Sequence, residues 1–313
     1  MHRFVKFCWF VLVWTIFVIL WGALVRATGS GAGCGNHWPT CNGVIIPQAH
    51  QIETAIEFIH RLLSGGALLL VLTMLLWGWK ISHKGDPVRI GLVASTAFIL
   101  AESLLGASLV LFGLVTTNQS LARAIVMAFH LLNTFFLLAS ITLAAWWAGG
   151  GKSLSLKIDV PRSWLFGLGL AGVALIGMTG AITALGDTLF PAESLAHGLA
   201  QESDPSAHFL IRLRIYHPAI AIIAGAYLLF LARYIRSRND NIHSRRLGHA
   251  LIILVLVQWT AGLANVLLLA PVPMQIIHLF IADSIWILLV LFSAVNLETK
   301  NGNRSSETPL EAL

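Results

Sequence analysis

The sequence contains little charge, since Asp, Glu, Lys and Arg together make up 11% of its 313 residues. A soluble domain carries roughly a quarter charged residues, so this composition excludes an ordinary water-soluble protein. Hydrophobic residues reach 57%, and the mean hydropathy is +0.80. The chain also lacks a basic domain and an aromatic platform outside its apolar stretches, which excludes nucleic acid as a partner. The composition therefore predicts a protein built for a bilayer.

Cysteine is also scarce, with three residues in the chain. Cys8 falls in the first apolar stretch and is predicted to be a small buried hydrophobe. Cys34 and Cys41 fall in the loop that follows it, where a disulfide can form on an oxidising side of a membrane. Such a bridge could be a structural staple or a redox-active pair. No Cys-x-x-Cys-His occurs, which excludes covalent attachment of a c-type haem.

Eight apolar stretches are long enough to cross a bilayer, which takes about 20 residues. They predict an all-α polytopic membrane protein with spans at about 7–25, 57–78, 90–113, 123–147, 164–186, 212–234, 249–270 and 274–296. The first is predicted to be a retained helix, because its apolar run is too long for a signal peptide. The chain shows no arginine-rich, serine-rich transit segment, which favours a bacterial or archaeal plasma membrane over an organelle.

Basic residues indicate the orientation. With the N-terminus inside, most of the 20 Lys and Arg residues fall in inner segments: Arg3, Lys6, Lys80, Lys84, Arg89, Lys152, Lys157, Arg162, Arg233, Arg236, Arg238, Arg245, Arg246, Lys300 and Arg304. The positive-inside rule therefore predicts that both termini are cytoplasmic.

The chain is weakly repetitive, which predicts two parallel four-helix halves, 1–150 and 151–313. The matching pairs are Glu57-Phe-Ile-His60 with Arg214-Ile-Tyr-His217, Glu102-x-x-x-Gly106 with Gln258-x-x-x-Gly262, His130 with His278, and Gly22-Ala23 with Gly180-Ala181. Their offsets are 157, 156, 148 and 158 residues. The inner link 148–163, with three consecutive glycines, is the natural boundary.

Four histidines, His60, His130, His217 and His278, lie near the starts of the even-numbered spans. Histidine is costly to bury in lipid unless something binds it, and two neutral imidazoles can hold one haem iron. Side chains on facing helices build such sites in bundles. We therefore expect two bis-histidine haem sites toward the outer leaflet. The alternative is that each histidine makes a hydrogen bond to a neighbouring helix.

Five arginines lie at outer helix ends, against the positive-inside trend: Arg26, Arg61, Arg123, Arg212 and Arg214. Arginine pairs carboxylates in a bidentate way, so as a group they are candidates for binding haem propionates. The alternative is that they reach lipid headgroups.

The halves differ chemically. Glu57 lies three residues before His60, on the same helix face, whereas the matching residue in the second half is Arg214. A carboxylate there can accept a proton or stabilise developing positive charge, or it can form a structural salt bridge with Arg61. Glu102 is an intramembrane carboxylate matched by neutral Gln258, and its role stays open. Asn133 and Asp283 are weaker candidates.

Segments from the first span to the eighth resemble the heme A synthase family. They are Gly22-Ala-Leu-Val-Arg-Ala-Thr-Gly-Ser-Gly31, the Cys34/Cys41 loop with Trp38-Pro39, Ile56-Glu-Phe-Ile-His-Arg61, Ala128-Phe-His-Leu-Leu-Asn133, Thr179-Gly-Ala-Ile-Thr-Ala-Leu-Gly-Asp187, Tyr216-His-Pro218 and Gln275-Ile-Ile-His278. This resemblance implies eight spans in two halves. It also implies oxidation of a haem O methyl group to a formyl group, through a hydroxymethyl intermediate, to give haem A.

The resemblance also implies residue roles. His60 and His130 would ligate the substrate haem O, while His217 and His278 would ligate a resident haem b. Glu57 matches the family's catalytic glutamate, and Cys34 with Cys41 matches its loop pair. A haem O synthase and an electron acceptor are the implied partners, and a homo-oligomer is left open. The rival interpretation is a di-haem b-type cytochrome that passes electrons between quinol and a partner.

Overall fold

A computed structural model of the chain describes residues 1–48, 51–155 and 160–299. Its helices are α1 His2–Ala27, α2 Ile52–Ile81, α3 Pro87–Leu111, α4 Leu121–Ala148, α5 Val160–Leu189, α6 Leu195–Ser203, α7 Phe209–Arg212, α8 Tyr216–Arg236, α9 Ile242–Leu267 and α10 Val272–Leu297. A short 3₁₀ turn, Ser30–Ala32, follows α1.

Local sequence explains where several helices begin. The side chains of Asp86, Ser120 and Asn241 accept hydrogen bonds from backbone N–H groups in the first turns of α3, α4 and α9. Pro87 occupies the first turn of α3, where no N–H partner is lost. Long apolar runs then continue each helix across the bundle.

Eight helices are long and apolar enough to cross a membrane, and the protein is a multi-pass, all-helical membrane protein. All eight predicted spans are confirmed, and each begins earlier than predicted, most of all the seventh, which begins at Ile242. The short helices α6 and α7 were not predicted. The α7 turn leads directly into α8, so the sixth span runs from Phe209 to Arg236. Three of the inner basic residues, Lys157, Lys300 and Arg304, lie outside the described residues.

The helices contact one another in the same order in both halves. In the first half α1 packs on α2, α2 on α3, α3 on α4 and α4 on α1; in the second, α5 packs on α8, α8 on α9, α9 on α10 and α10 on α5. The histidine-bearing helices are therefore diagonal partners in each ring. This order agrees with a parallel repeat, which stays a prediction.

The halves meet along α1, α4, α5 and α10. At the centre of this interface, the Trp286 indole N–H donates to the Phe135 carbonyl at 2.6 Å, and the two rings stack with centroids 4.8 Å apart. Gly177 of α5 lies beside Phe135, where a Cβ would come within 2.5 Å of the ring. Small residues of this kind allow close helix packing in membranes.

Candidate haem sites

The four histidines lie at similar depth near one end of the bundle. His60 comes eight residues after the start of α2, His130 nine after the start of α4, His217 eight after the start of its span, and His278 six after the start of α10. At about 1.5 Å per residue, these positions are roughly 9–14 Å below the helix ends. We call this end, which also carries the Cys34/Cys41 loop, the cysteine-loop end.

Each imidazole lies against a glycine of the preceding span. A Cβ on Gly22 would lie 3.0 Å from His60 Cε1, and one on Gly180 would lie 2.9 Å from His217 Cε1. The corresponding distances are 3.9 Å for Gly106 and His130, and 3.2 Å for Gly262 and His278. The repeated glycines of the sequence thus leave the space in which the rings sit.

In the second half the structure brings the two candidate ligands together. The rings of His217 and His278 have centroids 6.4 Å apart and are inclined at 79°. Imidazoles on opposite sides of one iron, each with a nitrogen about 2 Å from the metal, have centroids about 6 Å apart. His217 Nδ1 lies 3.2 Å from Thr179 Oγ1, and His278 Nε2 lies 3.2 Å from Gln258 Nε2.

In the first half His130 belongs to a polar cluster with Glu102. The Glu102 carboxylate accepts hydrogen bonds from Asn133 Nδ2 and Thr134 Oγ1, each at 2.6 Å. Its Oε1 lies 3.4 Å from His130 Nδ1. Glu102 therefore contacts the histidine of the next helix, as Gln258 does in the second half. Asn133 is part of this cluster, whereas Asp283 is fully buried with both oxygens lacking a hydrogen-bond partner in the described chain.

The residues present fit a haem. Among the described residues, His60 Nδ1 is buried without a hydrogen bond, whereas His130, His217 and His278 each lie 3.2–3.4 Å from a polar group of the preceding span. Hydrogen bonds between helices therefore account for part of the histidine set and leave the His60 nitrogen without a partner. The glycine surfaces and the ring separation at His217 and His278 suit a flat ligand held from both sides.

Glu57 binds the cysteine loop to α2. It is buried, with 3% of its surface exposed, and its Oε2 accepts the Cys34 N–H at 2.8 Å. Its Oε1 accepts from Arg61 Nη2 at 2.5 Å, which is the salt bridge expected as the alternative role. Arg61 Nη1 also donates to the carbonyls of His37, at 2.6 Å, and Thr40, at 2.5 Å. One carboxylate and one guanidinium, on either side of His60 in sequence, thus hold the loop.

Cys34 and Cys41 form a disulfide, with Cα atoms 4.4 Å apart, and Cys8 is free and buried. Gly33 packs on the first turn of α2, where a Cβ would lie 2.5 Å from the Glu53 carbonyl. The Thr54 hydroxyl donates to the Gly33 carbonyl at 2.8 Å. The loop therefore rests on the helix that carries His60.

The second half places an arginine where the first has Glu57. Arg214 is buried and pairs with Asp187, with Nε 3.1 Å from Oδ1, and its Nη2 donates to the Phe190 carbonyl at 2.6 Å. Glu202 lies on the nearby helix α6, and partial burial of its carboxyl group raises its pKa. The positive charge of Arg214 lowers this pKa, and the negative charge of Asp187 raises it further. This end of the second half is thus an ion-pair network without a cysteine pair.

The other arginines are also held by protein groups. Arg123 Nη1 donates to the carbonyls of Thr116, at 2.6 Å, and Asn118, at 2.8 Å. Arg212 is exposed, and its contact with the Pro205 carbonyl is 3.5 Å long. The side chain of Arg26, on α1, donates hydrogen bonds to groups of the second half.

Sequence reasoning missed two residues of these networks, Asp187 and Gln275. Both lie in segments that resemble the heme A synthase family, but neither follows the repeat. Asp187 is the partner of Arg214, and Gln275 accepts a hydrogen bond from Arg26 Nη2 at 2.7 Å. An acidic residue two positions before the end of an apolar helix was the available signal for Asp187.

Comparison with known proteins gives a family match over most of the chain. A family model described as "Cytochrome oxidase assembly protein" (COX15-CtaA) matches residues 5–290. A Thermus thermophilus protein named protoheme IX farnesyltransferase is 48% identical over 296 residues, which cover 95% of this chain and 49% of that protein. The chain thus spans about half the length of the Thermus relative.

Two Bacillus proteins named heme A synthase match a shorter region. The one from Bacillus licheniformis is 41% identical over 129 residues, covering 41% of this chain and 39% of that protein. The one from Bacillus cereus AH187 is 40% identical over 116 residues, covering 36% and 37%. With the family model matched from residue 5 to residue 290, the chain belongs to the heme A synthase family of cytochrome oxidase assembly proteins.

Proposed function

We propose that the protein is a heme A synthase, an enzyme that oxidises a methyl group of haem O to a formyl group through a hydroxymethyl intermediate. His60 and His130 would bind the substrate haem, and His217 and His278 would hold a resident haem b. The observation that carries the proposal is the chemical difference between the halves. Glu57, buried one turn from His60, holds the Cys34 amide, whereas Arg214 takes the matching position and pairs with Asp187.

The second half suits a cofactor that stays. The rings of His217 and His278 have centroids 6.4 Å apart, and Arg214 and Asp187 form an ion pair. A haem b held there by His217 and His278 would supply a one-electron acceptor. Thr179 orients His217 through Nδ1, and Gly180 and Gly262 leave room for the rings. Partners of this kind fix the orientation of a ligand histidine.

Glu57 is proposed as the catalytic residue of the first half. Its burial and its bond to Arg61 keep a carboxylate where little water is present. Once two electrons have left the substrate for the electron acceptor, Glu57 would take the proton released from the methyl carbon or from the water that attacks it, a contribution worth roughly 10²–10⁴-fold for general bases. Because Oε2 holds the Cys34 amide in the resting structure, the cysteine loop controls access to the carboxylate. The Cys34–Cys41 pair is proposed as redox-active.

The five arginines of the cysteine-loop end, Arg26, Arg61, Arg123, Arg212 and Arg214, remain proposed propionate partners as a group. We further propose a plasma-membrane location with both termini in the cytoplasm and the haem sites toward the outer leaflet. The basic residues near the opposite end of the bundle support this orientation. Contact with a haem O synthase and an electron acceptor follows from the substrate and the chemistry.

The name of the Thermus relative raises prenyl transfer as a second candidate. Such transfer uses a diphosphate leaving group, which enzymes generally bind through Mg²⁺ and carboxylates. This chain covers 49% of the protein that bears that name. The histidine-rich core favours haem oxidation over prenyl transfer.

The test is haem analysis of the purified protein after co-expression with a haem O-producing enzyme. Chromatography of extracted pigments should give haem B together with haem O or haem A. Two equivalents of haem B with neither of the others would favour the di-haem cytochrome instead. Formation of haem O from haem B by this protein alone would favour the prenyl transferase.

A further inference from the structure

Arg26 connects the two halves at the cysteine-loop end. It lies in the last turn of α1, four residues after Gly22, the glycine that packs against His60. Its guanidinium makes its hydrogen bonds to the second half: Nη1 donates to the Ala184 carbonyl at 2.7 Å and to Thr188 Oγ1 at 2.6 Å. Nη2 donates to Gln275 Oε1 at 2.7 Å.

The acceptors lie on α5 and on α10, the helix that carries His278. Gln275 is three residues before His278, on the same face of α10, and its Nε2 donates to the Ala270 carbonyl at 2.6 Å. Thr188 follows Asp187, the partner of Arg214, and Arg214 is three residues before His217. One guanidinium is thus hydrogen-bonded to Gln275, one turn before His278, and to Thr188, which adjoins the Asp187–Arg214 ion pair.

The connection runs in one direction. The offset of 158 residues that relates Gly22 to Gly180 relates Arg26 to Ala184. The second half therefore has no arginine at the matching position to return the contact. Arg26 of the first half thus contacts the second half, and the matching residue of the second half, Ala184, has no charge with which to make the reverse contact.

We propose that Arg26 is a positioning residue that sets the reduction potential of a haem held between His217 and His278. A fixed cation near a haem favours the reduced form, which carries one positive charge less. Arg26 acts from the half that binds substrate, so the substrate half tunes the electron acceptor of its neighbour. This inference rests on the proposed resident haem b.

Redox titration of the purified haem-loaded protein tests it. Arg26→Gln should retain haem b but lower its midpoint potential by about 59 mV, a tenfold change in a one-electron equilibrium. Arg26→Lys should keep most of the wild-type potential because it keeps the charge. Gln275→Leu, which removes the acceptor beside His278, should lower the potential by a smaller amount. Arg233→Gln makes the same charge change at the opposite end of α8 and should have no effect.

The outcomes separate this inference from the proposed function. An unchanged potential in Arg26→Gln with full haem content would overturn the role of Arg26 and leave the resident haem intact. If Arg26→Gln fails to retain haem, Gln275→Leu decides, and a wild-type potential there overturns the inference. Wild-type protein without haem b would overturn the proposed function itself.

Discussion

At the scale of single residues, the two halves use the same positions for different chemistry. The position three residues before the histidine is Glu57 in the first half and Arg214 in the second, and both side chains are buried. Burying a charge is costly unless it is paired, and each has a partner of opposite charge nearby. The partners differ in origin, since Arg61 lies on the same helix as Glu57 whereas Asp187 comes from a neighbouring one.

Glu57→Gln should lower turnover by roughly 10²–10⁴-fold while haem binding stays largely intact. The amide can still accept the Cys34 N–H, so the loop keeps its anchor, but the negative charge is lost. Chromatography of extracted haems should show haem O or the hydroxymethyl intermediate accumulating. Glu53→Gln, an exposed carboxylate in the first turn of the same helix, is the matched control. Full activity in Glu57→Gln would rule out the catalytic role.

Alanine at the four ring-contacting glycines should disturb haem binding in the order of their distances. The distance from an added Cβ to the nearest atom of the histidine ring is 2.9 Å at Gly180, 3.0 Å at Gly22, 3.2 Å at Gly262 and 3.9 Å at Gly106. Gly180→Ala should therefore reduce haem b content strongly, because the imidazole of His217 must move, whereas Gly106→Ala should be tolerated.

Haem content per protein, measured by absorption spectroscopy, checks this order. Gly167→Ala in α5 and Gly65→Ala in α2 are matched controls, because nothing lies within 4 Å of a Cβ at either position. Equal losses at the contact and control positions would show that the glycines serve helix packing in general.

At the scale of elements, apolar length predicts the eight spans because a bilayer leaves few other structures available to the backbone. The loops were harder to predict. Ser194 caps α6, and Leu195 and Leu199 are spaced by one turn, but nine residues are too few for a clear periodic signal. The hydrogen bonds from Glu57 and Arg61 to the cysteine loop depend on how the loop folds back on α2, which spacing alone does not determine.

Replacing Cys34 and Cys41 with serine should loosen the cysteine loop without removing haem b from the second half. A disulfide that closes a short loop stabilises the folded state by roughly 2–3 kcal/mol, because it lowers the entropy of the unfolded chain. Loss of the bridge should have a local effect, because α2 still holds the loop through Glu57 and Arg61. Hydrogen exchange of the amides in residues 34–44 should speed up, while exchange in α8 and α10 stays unchanged. Unchanged exchange in the loop would mean that the contacts with α2 are sufficient.

At the scale of the whole molecule, the halves form one unit through contacts that sequence could not predict. Arg26 and Gln275 are 249 residues apart, and Phe135 and Trp286 are 151 apart. Neither pair follows from the weak repeat, because each joins positions that the repeat does not relate. A further connection forms between backbones, where Ser155 N–H donates to the Leu297 carbonyl and Thr299 N–H to the Ser153 carbonyl.

These contacts predict that the covalent link between the halves is dispensable. If residues 1–155 and 156–313 are expressed together as separate chains, they should copurify and retain haem b, since joining two helix bundles mainly saves the entropy of bringing them together. The pairing of residues 153–155 with the end of α10 stays available, because the cut lies beyond it. Copurification from membranes, followed by haem analysis, measures the result.

The interface also supplies the control for this experiment. Trp286→Ala removes a buried indole together with its hydrogen bond to Phe135, a loss of about 3–5 kcal/mol for a large aromatic residue. The intact chain should tolerate this change better than the split pair, because the link keeps the halves at high local concentration. If the separate halves copurify equally well with and without Trp286, other contacts between them, such as those of α4 with α5, hold the halves together.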